Sequence, residues 1–183
     1  MKFLPVGIQD FQTIRTGNFV YVDKTRFLFD LVHPPQGFHF LSRPRRFGKS
    51  LTVSTLKCLF EGKQELFDGL WIAETGNWPW KKHPTILLDF NQISHDSPET
   101  LERSLTRRLN AIAQSHGVES DAPLVKERFG ELILALCQKT GMPVAVLIDE
   151  YDKLSCGSAG IRRPGSKTSR PTKFSLARSS WKT

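Results

Sequence analysis

The sequence contains no hydrophobic run near the roughly 18 residues that a membrane-spanning helix needs, so no contact with a membrane is expected. Cysteines are scarce: Cys58, Cys137 and Cys156 stand far apart, without a C-x-x-C pair or a histidine at metal-ligand spacing. Neither a disulfide framework nor a zinc site is predicted. We expect reduced thiols, buried as small hydrophobic groups, in a cytoplasmic protein. The apolar run before Pro5 and Gly7 is too short for a signal peptide.

Acidic residues are absent from the end of the chain. Residues 155–183 hold seven of the 26 Lys and Arg residues and no Asp or Glu, although the net charge of the whole chain is +8. Residues 1–154 therefore carry 19 basic and 18 acidic residues and are almost neutral. Because the basicity belongs to the tail, a basic nucleic-acid groove in the body of the protein is not favoured.

Apolar patterning predicts strands that alternate with helices. Three segments, 38–41, 85–90 and 143–149, are short apolar runs typical of strands, and a further strand or hairpin arm is predicted over 19–25. Helices are predicted over 26–32, from Lys49 to Gly62, from Ser97 with Pro98 at its first position to near Gly117, and from Val125 to Gly141. This order predicts an α/β fold with a mainly parallel sheet and helices on both faces, in three layers.

The tail differs from this pattern. Residues 154–183 are rich in Ser, Gly, Pro and basic residues and show no period of 2 or 3.6. We therefore expect a folded domain over 1–153 and a disordered tail over 154–183.

The stretch LSRPRRFGKSLT, residues 41–52, contains Gly48-Lys49-Ser50 between a predicted strand and a predicted helix. A phosphate-binding loop needs this context, because the helix N-terminus directs N–H groups at the phosphates and the lysine reaches the outer ones. Ser50 would offer its hydroxyl to Mg²⁺. The tripeptide alone is weak evidence, since it arises by chance in roughly one chain of this size in ten. The usual first glycine of the loop is replaced by Arg43.

The apolar run VAVLI, which ends in Asp149 and Glu150, strengthens the interpretation. A nucleotide hydrolase needs one carboxylate at the end of an adjacent strand to hold Mg²⁺ and another to activate water. Asp149 is the candidate for the first role and Glu150 for the second. The alternative for both is an ordinary acidic strand end.

The arginines of the loop remain open to two interpretations. Arg43, Arg45 and Arg46 either bring positive charge to the phosphates or belong to a solvated basic loop. Asp89 also ends a predicted strand, and a surface or capping role is favoured for it over catalysis. Trp78 and Trp80 are expected to be packing anchors.

Three segments together resemble the predicted AAA-ATPase-like domain found in many bacterial and archaeal proteins, often followed by a PD-(D/E)XK nuclease-like domain. They are LPVGIQDFQTIRTGNFVYVDKT, FLSRPRRFGKSLTVSTLKCLFEGKQELFDGLWI and VLIDEYDK, spanning about residues 4 to 153. In that family R-P-R-R-F-G-K-S is the usual phosphate loop, so Arg43 in place of glycine resembles the family's own variant.

The resemblance implies a P-loop NTPase that binds ATP and Mg²⁺. It implies nucleotide contacts from Arg45, Arg46, Phe47, Gly48, Lys49, Ser50 and Leu51, metal ligation through Ser50 and Asp149, and Glu150 in hydrolysis. The motif at 21–25 also matches the family; Lys24 is a candidate nucleotide contact there, but a structural role is favoured. A homo-oligomer is left open, because AAA-type relatives often place one subunit's arginine at another's nucleotide.

The chain departs from the family after residue 153, where relatives continue with further helices and strands. This departure favours a shifted reading frame or a truncated gene, an incomplete sheet and weak hydrolysis. Two alternatives remain: a nucleic-acid-binding module that uses the tail and the 43–46 loop, and a non-functional gene remnant.

Overall fold

The computed structural model describes residues 1–33, 37–42, 44, 46–94 and 96–150, and the backbone of 171–177. In chain order, the helices and strands of these residues are α1 (Phe11–Thr16), α2 (Thr25–Val32), β1 (Gly37–Ser42), α3 (Lys49–Phe60), a 3₁₀ helix (Gln64–Phe67), α4 (Trp71–Glu74), β2 (Thr85–Asp89), α5 (Pro98–Ser115), α6 (Val125–Thr140), β3 (Val144–Asp149) and β4 (Pro171–Ala177).

The described strands form one sheet in the order β1-β4-β3-β2. β2 and β3 pair in parallel, whereas β4 is antiparallel to both of its neighbours, β1 and β3. β1, β2 and β3 therefore run in the same direction, and their C-terminal ends lie at the same edge. Mixed helices and strands agree with the predicted α/β class. Among the described strands, however, parallel pairing is limited to β2 and β3, whereas a mainly parallel sheet was predicted.

Helices pack on both faces of β3, because its side chains alternate between two hydrophobic clusters. Ala145 and Leu147 pack with α3, and Val144 and Val146 pack with residues of α5 and α6. All four side chains are at most 5% exposed. The prediction of a strand buried on both faces is confirmed. On β1, in contrast, Phe38 and Phe40 are 85% and 55% exposed.

The helix boundaries follow their caps. The Ser97 hydroxyl accepts a 3.2 Å hydrogen bond from the Thr100 N–H at the start of α5, with Pro98 in the first turn. Gly141 ends α6 with φ +66°, a left-handed conformation that glycine adopts without a steric penalty. Both boundaries were predicted from the sequence and are confirmed.

The prediction of a strand over 19–25 is wrong, as the structure of the N-terminal segment, residues 1–33, shows. Residues 20–24 form no helix or strand, and Phe19 makes only an isolated parallel bridge with Phe3. Two side chains of the segment, those of Asp23 and Thr25, accept hydrogen bonds from backbone N–H groups at the starts of α2 and α4, which replaces ladder pairing. Helix α1 was not predicted.

The backbone of residues 171–177 forms β4, where the sequence predicted disorder. It pairs along both sides, with β1 from Gly37 to Ser42 and with β3 from Val144 to Ile148. Two neighbouring strands can satisfy the backbone N–H and C=O groups of a segment that has little apolar patterning of its own. The remaining prediction for the tail, over 154–170 and 178–183, lies outside the described residues. Among the helices described, none has the length and apolar character of a bilayer span.

Candidate phosphate-loop site

The loop between β1 and α3 turns sharply just before the helix. The N–H of Phe47 donates a 3.4 Å hydrogen bond to the Pro44 carbonyl, and the following residues lead directly into α3. Arg46 has φ +67° and Gly48 has φ +73°. The left-handed region is strained for arginine but is freely available to glycine.

Gly48 is the N-cap residue of α3, so the helix begins without a capping side chain. A Cβ atom placed on Gly48 would meet no other atom within 4 Å, so the space beside the helix start is open. The Gly48 carbonyl accepts hydrogen bonds of 2.9 Å from the N–H and the hydroxyl of Thr52, which secures the first turn. An anion could therefore approach the N–H groups at this helix end.

The candidate phosphate-binding side chains differ in exposure. Lys49 is 9% exposed, whereas Phe47 is 61% exposed. Ser50 and Leu51 are half-buried, and Arg46 is exposed. Arg43 and Arg45 lie outside the described residues, so their predicted roles stay predictions.

Asp149 is the last residue of β3, and Glu150 follows it. Both lie at the edge of the sheet where β1 leads into the candidate phosphate loop. Ile148 and Phe40 both lie opposite Lys173 of β4, so Asp149 and Leu41, one residue further along, reach the same level of the sheet. The Asp149 side chain is 5% exposed, and its Oδ1 accepts a 3.0 Å hydrogen bond from the N–H of Glu150. Glu150 is half-buried and has φ +54°, an uncommon conformation for a non-glycine residue.

One expectation about this edge is corrected. The acidic strand was predicted next to the strand that enters the loop, but β4 lies between β1 and β3. Neighbouring strands are roughly 4.8 Å apart, so β1 and β3 are separated by roughly 10 Å. Asp89 lies directly opposite Asp149 but accepts hydrogen bonds from Asn91 and Gln92, which agrees with a capping role.

Hydrogen bonds that were not predicted from the sequence attach the N-terminal segment to α3. Asp10 caps α1 by accepting a 2.7 Å bond from the Thr13 N–H, and it also accepts a 3.0 Å bond from the Ser54 hydroxyl of α3. Burial raises the pKa of Asp10, but the bonds from Thr13 and Ser54 outweigh it, so that the pKa lies below its usual value. An aspartate before a helix is a recognisable N-cap signal.

The motif at 21–25 holds two further helices. Asp23 accepts 2.8 Å and 2.7 Å bonds from the backbone N–H groups of Thr25 and Trp71, at the starts of α2 and α4. The Thr25 hydroxyl donates to Asp23 and accepts a 3.1 Å bond from the Ile72 N–H. Burial raises the pKa of Asp23, yet these bonds lower it overall. These contacts agree with the structural role that sequence analysis favoured for the segment.

The residues present fit a magnesium nucleotide in their donor chemistry. A serine hydroxyl and a buried carboxylate are hard oxygen donors of the kind Mg²⁺ prefers, and such ions are usually bound by few protein groups together with substrate phosphates. Among the described residues, no cluster of three or more His, Cys, Asp or Glu side chains could hold a metal without such phosphates.

Fold and site together define an α/β protein with a candidate phosphate-binding loop at the start of a buried helix. The chain belongs to the AAA-ATPase-like family: the family model described as predicted AAA-ATPase matches residues 5–160. This membership is consistent with ATP binding, and the match includes the loop, both acidic residues and the N-terminal segment from Pro5 onward.

A curated relative is the "Uncharacterized protein in vnfD 5'region" of Azotobacter chroococcum mcd 1, which is 42% identical over 154 residues. The alignment covers 83% of this chain and 29% of the relative, so the chain spans less than a third of the relative's length. No solved structure matches the chain.

Proposed function

We propose that this chain binds ATP with Mg²⁺ through a P-loop formed by residues 43–51, within a three-layer P-loop NTPase domain. The observation that carries the proposal is the start of α3, where Gly48 leaves open space and is followed at once by Lys49 and Ser50. Backbone N–H groups and Lys49 would bind the outer phosphates, since both offer positive charge to an anion.

Ser50 and Asp149 would hold Mg²⁺ together with the phosphates of the nucleotide. The burial of Asp149 excludes water around its carboxylate, which strengthens its attraction to a cation. Arg45, Arg46, Phe47 and Leu51 complete the proposed phosphate-binding set.

Equilibrium binding of a fluorescent ATP analogue with Mg²⁺ tests this proposal. Lys49→Ala is expected to reduce affinity by at least tenfold, which corresponds to about 1.4 kcal/mol. Lys126→Ala is the matched control, because Lys126 is exposed in the first turn of α6. Equal affinities for wild type and Lys49→Ala, with both proteins folded, would exclude Lys49 as a phosphate ligand.

For hydrolysis, Glu150 is the proposed group that activates water. We expect slow turnover by this chain. Glu150→Gln should abolish ATP turnover and leave ATP affinity within about threefold of wild type. The reason is that the Glu150 carboxylate would act on the attacking water and not on the phosphates. Turnover by wild type at ordinary ATPase rates, on the order of 10 per second, would contradict weak hydrolysis.

Nucleic-acid binding through the basic tail and the 43–46 loop remains the alternative. Deletion of the tail would also remove β4, so the sharper test replaces Arg162, Arg163, Lys167 and Arg170 with glutamine. Binding of DNA that is lost in this variant and falls steeply with salt would support the alternative.

A further inference from the structure

A cavity of about 300 Å³ lies between the N-terminal segment and the beginning of α3. This volume is at the lower end of the roughly 300–1,000 Å³ that small-molecule sites occupy. The N-terminal wall includes Leu4, Val20, Tyr21, Val22, Lys24 and Phe27. The opposite wall belongs to the candidate phosphate loop and its helix, with Gly48, Leu51, Thr52 and Thr55.

Several apolar side chains of this cavity are open to solvent. Leu4 is 73% exposed, Val22 69% and Phe27 41%. A single exposed apolar side chain is ordinary, but apolar side chains that converge on one concavity indicate a binding surface. Such walls suit a flat ring with apolar faces better than a hydrated ion.

Polar groups are few and lie at defined places, as is typical of ligand sites. The Thr55 hydroxyl, beside Tyr21 in the cavity lining, donates a 2.8 Å hydrogen bond to the Leu51 carbonyl of its own helix. Burial raises the pKa of Tyr21, so its hydroxyl stays protonated at neutral pH. Among the described residues that line the cavity, Lys24 is the cation, and it is exposed.

Gly48 connects this cavity to the phosphate loop, because it lines the cavity and also caps α3. A ligand whose phosphates lie on the N-terminus of α3 would direct its other end into the cavity. That end must combine a flat apolar body with polar edges. The base and sugar of a nucleoside triphosphate have this chemistry, whereas inorganic polyphosphate lacks it.

We propose that the cavity binds the nucleoside part of the triphosphate, with Val22 and Phe27 against the base and Lys24 near its junction with the phosphates. This inference rests on the proposed function, since it assumes that the phosphates bind at Lys49. It gives the motif at 21–25 a second role: Asp23 and Thr25 hold helices, and Tyr21, Val22 and Lys24 line the nucleoside site.

The test compares ATP with inorganic tripolyphosphate, both with Mg²⁺, by isothermal titration calorimetry. Val22→Trp should fill the cavity and weaken ATP binding at least tenfold, while tripolyphosphate binding changes less than threefold. Val6→Trp is the matched control, because Val6 is 86% exposed on the same segment and does not line the cavity. Phe27→Ala, which removes part of the wall instead of filling the space, should act in the same direction.

The outcomes separate this inference from the proposed function. If ATP and tripolyphosphate bind the wild type equally and Val22→Trp and Phe27→Ala alter neither, the cavity does not hold the nucleoside, although the phosphate site stands. If the folded wild type binds neither ligand, the proposed function fails and this inference fails with it. Thermal melting of each variant establishes that it is folded. A further outcome would also overturn the inference: an apolar peptide binds the cavity without Mg²⁺, and ATP does not compete with that peptide.

Discussion

The Ser54 hydroxyl donates a 3.0 Å hydrogen bond to Oδ1 of Asp10 and accepts one of 2.9 Å from the N–H of Phe11. Ser54 belongs to the same helix as Lys49, so this pair joins the N-terminal segment to the helix of the candidate phosphate loop. The pair therefore helps to hold the N-terminal wall of the cavity beside Gly48 against α3.

Ser54→Ala should lower the free energy of unfolding by about 1–2 kcal/mol, because it removes one partner from each of two hydrogen bonds. Chemical denaturation measures the change. Ser115→Ala is the control, since the Ser115 hydroxyl donates only to Ile112 within its own helix. A smaller loss in Ser54→Ala than in Ser115→Ala would mean that the link to Asp10 contributes little to stability.

Asp23→Asn should lower stability at neutral pH by about 1–2 kcal/mol, since the carboxylate binds the first N–H groups of two helices. The pKa of Asp23 is lower in the folded state than its ordinary value. Its stabilising contribution is therefore complete above the unfolded-state pKa of about 3.9 and is lost as pH falls through the folded-state pKa. The difference between wild type and variant should narrow in that acid range.

Denaturant titrations of both proteins between neutral pH and pH 3 measure this difference. Asp30→Asn, an exposed aspartate within α2, should show a much smaller difference at neutral pH. A gap between wild type and Asp23→Asn that widens on acidification would contradict the assigned hydrogen bonds.

Gly48→Ala should destabilise the protein by about 1–2 kcal/mol, because alanine at φ +73° suffers the strain of the left-handed region. Gly130→Ala should instead stabilise it by about 1 kcal/mol, since Gly130 lies inside α6 and an added Cβ meets no atom within 4 Å. Thermal melting of the two variants should therefore show shifts of opposite sign. Shifts of the same sign would refute the backbone conformation at one of these glycines.

Cys58 should resist alkylation in the folded protein. Its side chain is 2% exposed, and burial raises the pKa of its thiol to about 11, so almost no thiolate is present at pH 8. Mass spectrometry after brief iodoacetamide treatment should find Cys137, which is half-buried, modified before Cys58. Rapid modification of Cys58 under native conditions would mean that α3 is not packed as described.

Local patterns were sufficient to predict most of the regular elements. Apolar runs predicted β1, β2 and β3, and helical spacing with cap residues predicted α2, α3, α5 and α6. Each of these signals depends on residues only a few positions apart in the sequence, so no knowledge of distant contacts is needed. The short helix α1 lies below the length at which such periodicity can be recognised.

Local sequence patterns gave a wrong prediction over residues 19–25 and did not predict the strand over residues 171–177. Alternation predicted a strand in the first segment, but Asp23 and Thr25 bond to backbone groups of α2 and α4 that lie up to 48 residues away in the sequence. In the second segment, backbone pairing with β1 and β3 produces a strand that its composition does not predict.

For the candidate site, the identity and order of the chemical groups can be read from the motifs alone. Gly48, Lys49 and Ser50 follow one strand, and Asp149 and Glu150 follow another. Three further features become visible only in the folded chain: β4 separates those strands, Asp149 is buried at their common edge, and the N-terminal segment forms a cavity wall beside Gly48. Motifs reflect local backbone requirements, whereas burial and cavities depend on the packing of distant segments.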